Sequence, residues 1–214
     1  MIYQKKVLKK SLKNKKRFYP NLKKLLFFSN NVDKIEEVKK LFNNISIEII
    51  SLVDLEFYME PKENGDSFFE NAKIKSSYGF KKFGLPCFAD DSGICIEALD
   101  WRPNIFSKRF LDGFKNRNDC LKYIINKVSE NRKEAAYFET SICYTVSKDE
   151  HYEFGGRING IISKDILGNR GFGYDPIFIP LDLKKTFGQM TNKQKNILSH
   201  RSIAIKKFLS FLTN

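Results

Sequence analysis

Short apolar runs alternate with helical repeats along the first half of this 214-residue chain. The stretch Lys24–Phe28 and the alternating stretch Ile45–Ile50 predict strands, as does the run Leu85–Ala89 before two carboxylates. Between them, apolar residues at helical spacing predict one helix that ends near Phe42 and a second over Phe68–Phe83. Strands that alternate with helices in this way are typical of an α/β fold.

The second half adds a hairpin and two more helices. Residues 94–99 predict a second short strand, and an apolar stripe predicts a helix over 116–130. Two strands, Ala135–Val146 and His151–Ile162, have a four-residue connection that predicts an antiparallel hairpin. A last helix opens at Lys195 and ends near Leu212, with Ser199 as a candidate N-cap. We therefore expect two lobes, and a cleft between them is the natural place for a ligand.

Charge is concentrated at the amino terminus. The net charge is +13, but residues 1–24 contain ten Lys or Arg and no acid, so the rest of the chain carries only +3. We expect a basic N-terminal extension over 1–24 and one domain over 25–214. The extension could contact phosphate polymers or anionic lipid, act as a targeting leader, or be a dispensable arm. The mildly basic remainder does not indicate a specific nucleic-acid binder.

Composition excludes several classes of protein. With 42% hydrophobic residues the chain is expected to be globular, and no apolar run reaches the roughly 18–20 residues of a membrane span. The four cysteines are far apart and three lie in apolar runs, which indicates reduced core thiols in the cytoplasm. Only two histidines are present, so a zinc site or a Ser-His-Asp triad is not expected.

The chemistry centres on Asp90 and Asp91, which follow an apolar run and precede Ser92 and Gly93. Side chains of neighbouring strand residues point to opposite faces, so we expect the two carboxylates to have different roles. One could hold a divalent cation or activate water. The alternative is a plain Asp-Asp-Ser-Gly turn.

Three further segments favour a phosphate and a base as ligands. Ser29–Lys34 joins a strand to a helix, where backbone N–H groups, the helix dipole and a lysine suit an anion. The glycine-rich loop 168–176 presents two aromatics and Asp175, a composition that suits stacking on a base. His200 and Arg201 follow the expected N-cap of the last helix. A capped helix and a structural turn are the alternatives for the first two.

Together these motifs resemble the non-canonical purine nucleoside triphosphate pyrophosphatases, the inosine/xanthosine triphosphatase family. The resemblance covers about Leu25 to Leu212. Its motifs, in order, are Ser29-x-Asn31-x-x-Lys34; Glu63-x-Gly65-x-Ser67-Phe68-x-Glu70-Asn71-Ala72 with Lys75; Ala89-Asp90-Asp91-Ser92-Gly93; Pro103 to Arg109; Phe154-x-Gly156-x-x-x-Gly160-x-Ile162; Gly171-Phe172-Gly173-Tyr174-Asp175-Pro176; and Lys195-Asn196-x-x-Ser199-His200-Arg201.

The resemblance implies a mixed, elongated central sheet with flanking helices that form two lobes around a nucleotide-binding cleft. It implies hydrolysis of ITP, dITP and XTP to the monophosphate and pyrophosphate, cleansing of the nucleotide pool, a Mg²⁺ cofactor and a homodimer. Catalytic roles fall on Asp91, as the base, and on Lys34 and Lys75. Glu63 and Asp91 would hold the metal. The nucleotide would be bound by Ser29, Asn31, Lys34, Ser92, Phe172, Gly173, Tyr174, Asp175, Lys195, His200 and Arg201.

Two local departures from the family pattern stand out. Residues 101–104 replace a Gly-rich turn, and Gln189 stands where an acidic residue is common. Two rival functions remain open from the residues alone. One is a pyrophosphatase for modified pyrimidine nucleotides, and the other is a nucleic-acid binder that depends on the basic extension.

Overall fold

The computed structural model describes residues 22–43 and 45–213, so residues 1–21 of the expected extension lie outside the described part. The strands are β1 (Lys24–Phe27), β2 (Glu48–Ser51), β3 (Cys87–Ile96), β4 (Arg102–Pro103), β5 (Ala135–Ser147), β6 (Glu150–Ile162) and β7 (Phe178–Pro180). The α-helices are α1 (Val32–Phe42), α2 (Phe68–Phe83), α3 (Ser107–Asp112), α4 (Arg117–Asn131), α5 (Asn192–Leu198) and α6 (His200–Thr213).

One mixed sheet organises these elements, which confirms the predicted α/β class. Its strand order is β2-β1-β3-β5-β6-β7, with β4 paired to β3. β1 runs parallel to β2 and to β3, whereas the other pairs are antiparallel. The predicted hairpin is confirmed, since β5 pairs with β6 from Ala135↔Ile161 to Ser147↔Glu150.

Three apolar clusters pack on the sheet, and the two larger ones contain residues of both long strands, β3 and β5. In the first core, β1, α1 and α6 pack on Phe88 of β3 and on Ile142 of β5. In the second core, α4 and β7 pack on Ile94 of β3 and on Phe138 of β5. Residues 90–92 of β3 fall between the two, and the same strand reaches both cores. The polar stretch of β3 is therefore held at the junction of two packed bodies.

The prediction of two short strands around the acidic pair is wrong. Every residue of Cys87–Ile96 is paired with β5, so Asp90, Asp91, Ser92 and Gly93 continue one ten-residue strand. Turn composition is overridden because the strand partner satisfies these backbone groups. Gly93 is required by packing, since a Cβ there would lie 2.2 Å from the carbonyl oxygen of Asn104.

The last predicted helix is broken at Ser199. Instead of one helix from Lys195, the chain forms α5 and α6 with an extended Ser199 (φ −65°, ψ 155°) between them. Its Oγ accepts a hydrogen bond from the N–H of Ser202 at 3.2 Å, which confirms the predicted N-cap. The break places His200 and Arg201 in the first turn of α6.

Capping residues define the ends of the two helices that carry Lys34 and Lys75. Asn31 caps α1 by accepting from the N–H of Lys34, so the predicted strand-to-helix junction is present. Ser67 caps the start of α2, which has the predicted bounds, and Gly84 ends it in the left-handed conformation (φ +66°). Lys24 is the first residue of β1, as the strand pattern predicted, although by charge it was counted with the basic extension.

Both departures from the family pattern have a structural account. Asp100, Trp101 and Asn104 have φ of 53°, 61° and 54°, so non-glycine residues keep the left-handed backbone that a Gly-rich turn would supply. Gln189 forms a capping box with Thr186, a role that Glu and Gln fill alike.

The four cysteines are free and buried, in line with the prediction of reduced core thiols. Within the described part of the chain, no helix has both the length and the apolar character that a membrane crossing needs.

Candidate active site

A cleft of about 790 Å³ lies at the junction of the two cores. It brings together all the site residues predicted from the sequence, on segments from both halves of the chain. They are Ser29, Asn31, Lys34, Glu63, Lys75, Asp91, Ser92, Phe172, Gly173, Tyr174, Asp175, Lys195, His200 and Arg201. The cleft follows from topology, because β1 ends beside Phe88 and delivers Ser29–Lys34 next to the acidic stretch of β3.

Asp91 lies on the side of β3 that faces α2. Lys75 of α2 has its Nζ 3.8 Å from Asp91 Oδ1 and 2.9 Å from Glu63 Oε1. Asn71, one turn earlier in α2, donates to Asp91 Oδ2 at 3.1 Å and accepts from the N–H of Gly65 at 2.9 Å. Burial raises the pKa of Asp91 although Lys75 and Lys34 act in the opposite direction. The carboxylate is thus fixed in place and more basic than an exposed aspartate.

Asp90 points to the other side of the sheet, as the alternation of a strand requires. Its carboxylate accepts from Lys34 Nζ at 3.2 Å and from Arg201 Nε at 3.2 Å. Burial would raise the pKa of Asp90, but Lys34 and Arg201 outweigh it and hold the pKa well below its usual value. The adjacent carboxylates therefore have different partners and different proton affinities, as the sequence predicted.

Glu37 does not itself line the cleft, but it pairs with two cations that do, and sequence reasoning missed it. The repeat in α1 makes it look like solvated surface, yet its carboxylate contacts Lys195 Nζ at 2.9 Å and Arg201 Nη1. Burial raises the pKa of Glu37, but Arg201 and Lys195 outweigh it and lower the pKa below its ordinary value. The available signal was spacing, because positions 34 and 37 lie on one face of a helix.

The loop before β7 contributes two aromatic residues to the lining of the cleft, and the two differ in exposure. Phe172 is half-buried, and Lys195 Nζ lies 4.7 Å from its ring centroid. Tyr174 is only 4% exposed and packs in the second core, where its hydroxyl donates to the carbonyl of Ser107. Phe172, to which the family resemblance assigns stacking, is thus the more exposed of the two rings.

Asp175 holds the shape of this loop. Its Oδ2 accepts from the N–H of Phe172 at 2.8 Å and from Lys195 Nζ at 2.8 Å. A Cβ on Gly171 would lie 2.0 Å from that same oxygen, so only glycine fits there. Lys195 thereby joins Glu37 of α1 to the loop, and the cleft floor is one chain of ion pairs.

His200 and Arg201 close the floor from α6. His200 stacks on Phe138, with ring centroids 4.8 Å apart and planes 8° apart. Burial, together with Arg201, holds the pKa of His200 well below its usual value, so its ring is neutral near pH 7. Its Nδ1 is buried and has no partner among the described residues. Arg201 Nη2 donates to Ser92 Oγ at 3.0 Å, so three of its five N–H groups are engaged.

Two carboxylates, Glu63 and Asp91, could hold a metal in this cleft. In the described part of the chain, no cluster of three or more His, Cys, Asp or Glu side chains is arranged as a metal site. Mg²⁺ does not need such a cluster, since it keeps several waters and binds one or two carboxylates together with substrate phosphates. The oxygen ligands of this pair fit that ion, whereas zinc favours His and Cys.

This arrangement defines a class: a mixed α/β protein whose cleft joins four cations, three of them buried, to a carboxylate pair and an aromatic ring. The chain belongs to the Ham1 family, whose model matches residues 25–211.

Relatives and solved structures match over nearly the whole described chain. A dITP/XTP pyrophosphatase from Flavobacterium psychrophilum is 36% identical over 190 residues, covering 89% of this chain and 99% of that protein. A second, from Leptospira interrogans, is 38% identical over 192 residues, covering 89% and 97%. A HAM1 protein structure from Coxiella burnetii superposes with a TM-score of 0.80 at 28% identity, covering 89% and 98%.

Proposed function

We propose that this protein hydrolyses non-canonical purine nucleoside triphosphates (ITP, dITP and XTP) to the monophosphate and pyrophosphate. The observation that carries the proposal is the single cleft in which the predicted phosphate, metal and base groups meet. Relatives of similar length named dITP/XTP pyrophosphatases support the substrate class. Removal of such nucleotides from the cellular pool is the role that this activity would serve.

The triphosphate is assigned to the start of α1. Ser29 and Asn31 precede the helix, and Lys34 lies in its first turn. Free backbone N–H groups and the helix dipole favour an anion at this position. Lys75 approaches from α2 on the other side of β3 and adds a second cation. An anhydride cleavage of this kind depends mainly on such charge neutralisation and positioning.

Mg²⁺ is the proposed cofactor, with Glu63 and Asp91 as its protein ligands. When bound, it would neutralise phosphate charge during the reaction. Lys75 Nζ lies 2.9 Å from Glu63 Oε1 and 3.8 Å from Asp91 Oδ1, so the two carboxylate oxygens face the same point in the cleft. The test is the loss of turnover on chelation and its recovery on adding Mg²⁺.

Asp91 is the proposed general base. It would accept a proton from the water that attacks the α-phosphorus, and pyrophosphate would leave. The pKa raised by burial improves Asp91 as a base near neutral pH. The hydrogen bond from Asn71 fixes the other carboxylate oxygen, so the geometry of proton transfer is set before substrate binds.

The purine is assigned to the floor formed by Phe172, His200 and Arg201. Phe172 would stack on the base. Asp175 would hold the Phe172 ring in place by accepting a hydrogen bond from the backbone of the loop. Two N–H groups of Arg201 and a neutral His200 remain available for the 6-oxo group of hypoxanthine or xanthine. Adenine carries an amine there, so a donor would be left without an acceptor and ATP would be disfavoured.

The test is pyrophosphate release from ITP, XTP, dITP, GTP and ATP with Mg²⁺. We expect ITP, dITP and XTP to be strongly preferred, and we expect Arg201→Ala to narrow the preference for ITP over ATP. Arg201→Lys keeps the buried charge and controls for misfolding. Equal turnover of all five nucleotides, or an unchanged preference in Arg201→Ala, would contradict the base assignment.

The family resemblance also leads us to propose a homodimer in the cytoplasm. Light scattering on the purified protein tests the dimer, and fractionation of cells tests the location. A monomeric mass with full activity would contradict the dimer proposal without affecting the assignment of the cleft.

A further inference from the structure

The loop that carries Phe172 needs support from outside itself. Gly171 and Gly173 adopt left-handed backbone with φ of 70° and 55°, which gives the loop conformational choices that other residues lack. Asp175 fixes one end of the loop by accepting from the N–H of Phe172. The Gly173 carbonyl needs a donor from another group, because the Asp175 carboxylate can only accept hydrogen bonds.

Arg117 supplies that contact. It is the first residue of α4, and its Nε donates to the carbonyl oxygen of Gly173 at 2.6 Å. The start of α4 is itself fixed, because Asn116 accepts from the N–H of Asp119 at 3.0 Å and its Nδ2 donates to the Asp119 carboxylate at 2.8 Å. A hydrogen bond from a charged donor is stronger than one between neutral groups, so the Gly173 carbonyl is firmly oriented.

The position of Arg117 separates support of the loop from contact with the ligand. It is not among the residues that line the cleft, whereas Gly173 and its neighbour Phe172 are. Its Nη2 is buried without a hydrogen-bond partner in the described part of the chain. Burying a donor without an acceptor costs free energy. The hydrogen bond from Nε to the Gly173 carbonyl is a contact that offsets this cost.

We propose that Arg117 is a positioning residue for purine selectivity, acting on the Phe172 ring through the Gly173 carbonyl. This inference rests on the proposed assignment of the loop to the base. It adds a residue outside the seven motifs of the sequence, on a helix that carries no other part of the site.

The experiment compares Arg117→Ala with the unmodified full-length protein on ITP and ATP. We expect the KM for ITP to rise about tenfold, because one charge-assisted hydrogen bond is lost and a remote binding group acts on substrate and transition state alike. The ratio of kcat/KM for ITP to kcat/KM for ATP should fall toward one. The Mg²⁺ concentration for half-maximal activity should stay unchanged, since Glu63 and Asp91 are not touched.

Rescue distinguishes a positioning role from simple loss of structure. Guanidinium chloride, added at concentrations far below those that unfold the protein, should partly restore the KM of Arg117→Ala. Arg117→Lys keeps the charge, and its KM for ITP should lie between those of the unmodified protein and of Arg117→Ala. Lys122→Ala removes an exposed cation from the same helix and should change nothing. Thermal melts of all variants identify any that fail to fold.

The outcomes are distinct. This inference alone is overturned if the unmodified protein prefers ITP and Arg117→Ala has the same ratio of kcat/KM for ITP to kcat/KM for ATP. A fall in kcat without a change in KM, not rescued by guanidinium or by lysine, also overturns it. An unmodified protein without preference for ITP overturns the proposed function and this inference together.

Discussion

Four cationic side chains converge on the cleft floor, and a carboxylate holds each of them. Lys34 pairs with Asp90, Lys75 with Glu63, and Lys195 and Arg201 share Glu37. Buried charges are tolerated only when they are paired and hydrogen-bonded. The carboxylates therefore keep the cations fixed in the absence of ligand, so a polyphosphate meets charges already in position.

Glu37 offers the sharpest test of this pairing. Glu37→Ala leaves Lys195 and Arg201 buried with fewer counter-charges, and we expect the free energy of unfolding to fall by about 3 kcal/mol. Glu36→Ala is the matched control, because Glu36 is exposed and its one salt bridge among the described residues is to Lys40 of the same helix, at 3.0 Å. That change should cost less than about 0.5 kcal/mol. Urea unfolding of both variants measures the difference, and equal losses would contradict the pairing.

The same residue predicts how stability depends on pH. Arg201 and Lys195 lower the pKa of Glu37 in the folded protein despite the effect of burial. The stabilisation is therefore complete above the unfolded pKa of about 4.3 and is lost as pH falls through the lower folded pKa. We expect the gap in unfolding free energy between the unmodified protein and Glu37→Ala to be constant from pH 7 to 5 and to shrink below pH 4. A gap that widens in acid would contradict this sign.

The loop 171–175 requires glycine more strictly at position 171 than at position 173. Gly171→Ala places a Cβ at 2.0 Å from Asp175 Oδ2, whereas a Cβ on Gly173 meets no atom within 4 Å. Both positions have positive φ, so backbone strain is shared and the clash is the difference. We expect Gly171→Ala to lose most ITP turnover and Gly173→Ala to lose far less. Steady-state kinetics on the two variants decides, and equal effects would show that the Asp175 carboxylate does not set the loop.

Periodicity predicted most elements because one face of each is buried in a core. The bounds of α2 and the hairpin β5–β6 follow from that pattern. It failed at β3, where turn-forming residues are held in a strand by pairing with β5 that no local pattern reveals. It failed again at Glu37, because a polar residue on a helix looks the same whether it faces water or a buried cation.

Motifs predicted the members of the site better than their contacts. All the predicted residues line one cleft, but Tyr174 is turned into the second core and Asp175 supports the loop from beneath. Arg117 could not be found from motifs, because it acts on a backbone carbonyl 56 positions further along the chain. Such contacts depend on how α4 packs, which spacing in the sequence does not encode.

In the whole molecule, the described residues 22–43 and 45–213 already supply every group assigned to the phosphate, the metal and the base. We expect a chain that starts at Leu22 to keep the kcat and KM of the full chain for ITP. The measurement is steady-state hydrolysis at low and physiological salt. A large rise in KM on truncation would instead show that the extension contributes to binding the triphosphate.

Asp91 is the proposed base that activates water in a cleft proposed to bind non-canonical purine triphosphates. The most direct measurement is pyrophosphate release from ITP with Mg²⁺ by the unmodified protein and by Asp91→Asn, with ITP binding measured by calorimetry. We predict that turnover falls by about a thousandfold while ITP still binds, because a general base contributes about 10²–10⁴-fold and the phosphate and purine contacts remain. An Asp91→Asn variant that keeps a substantial part of the turnover would contradict the assignment of Asp91 as the general base.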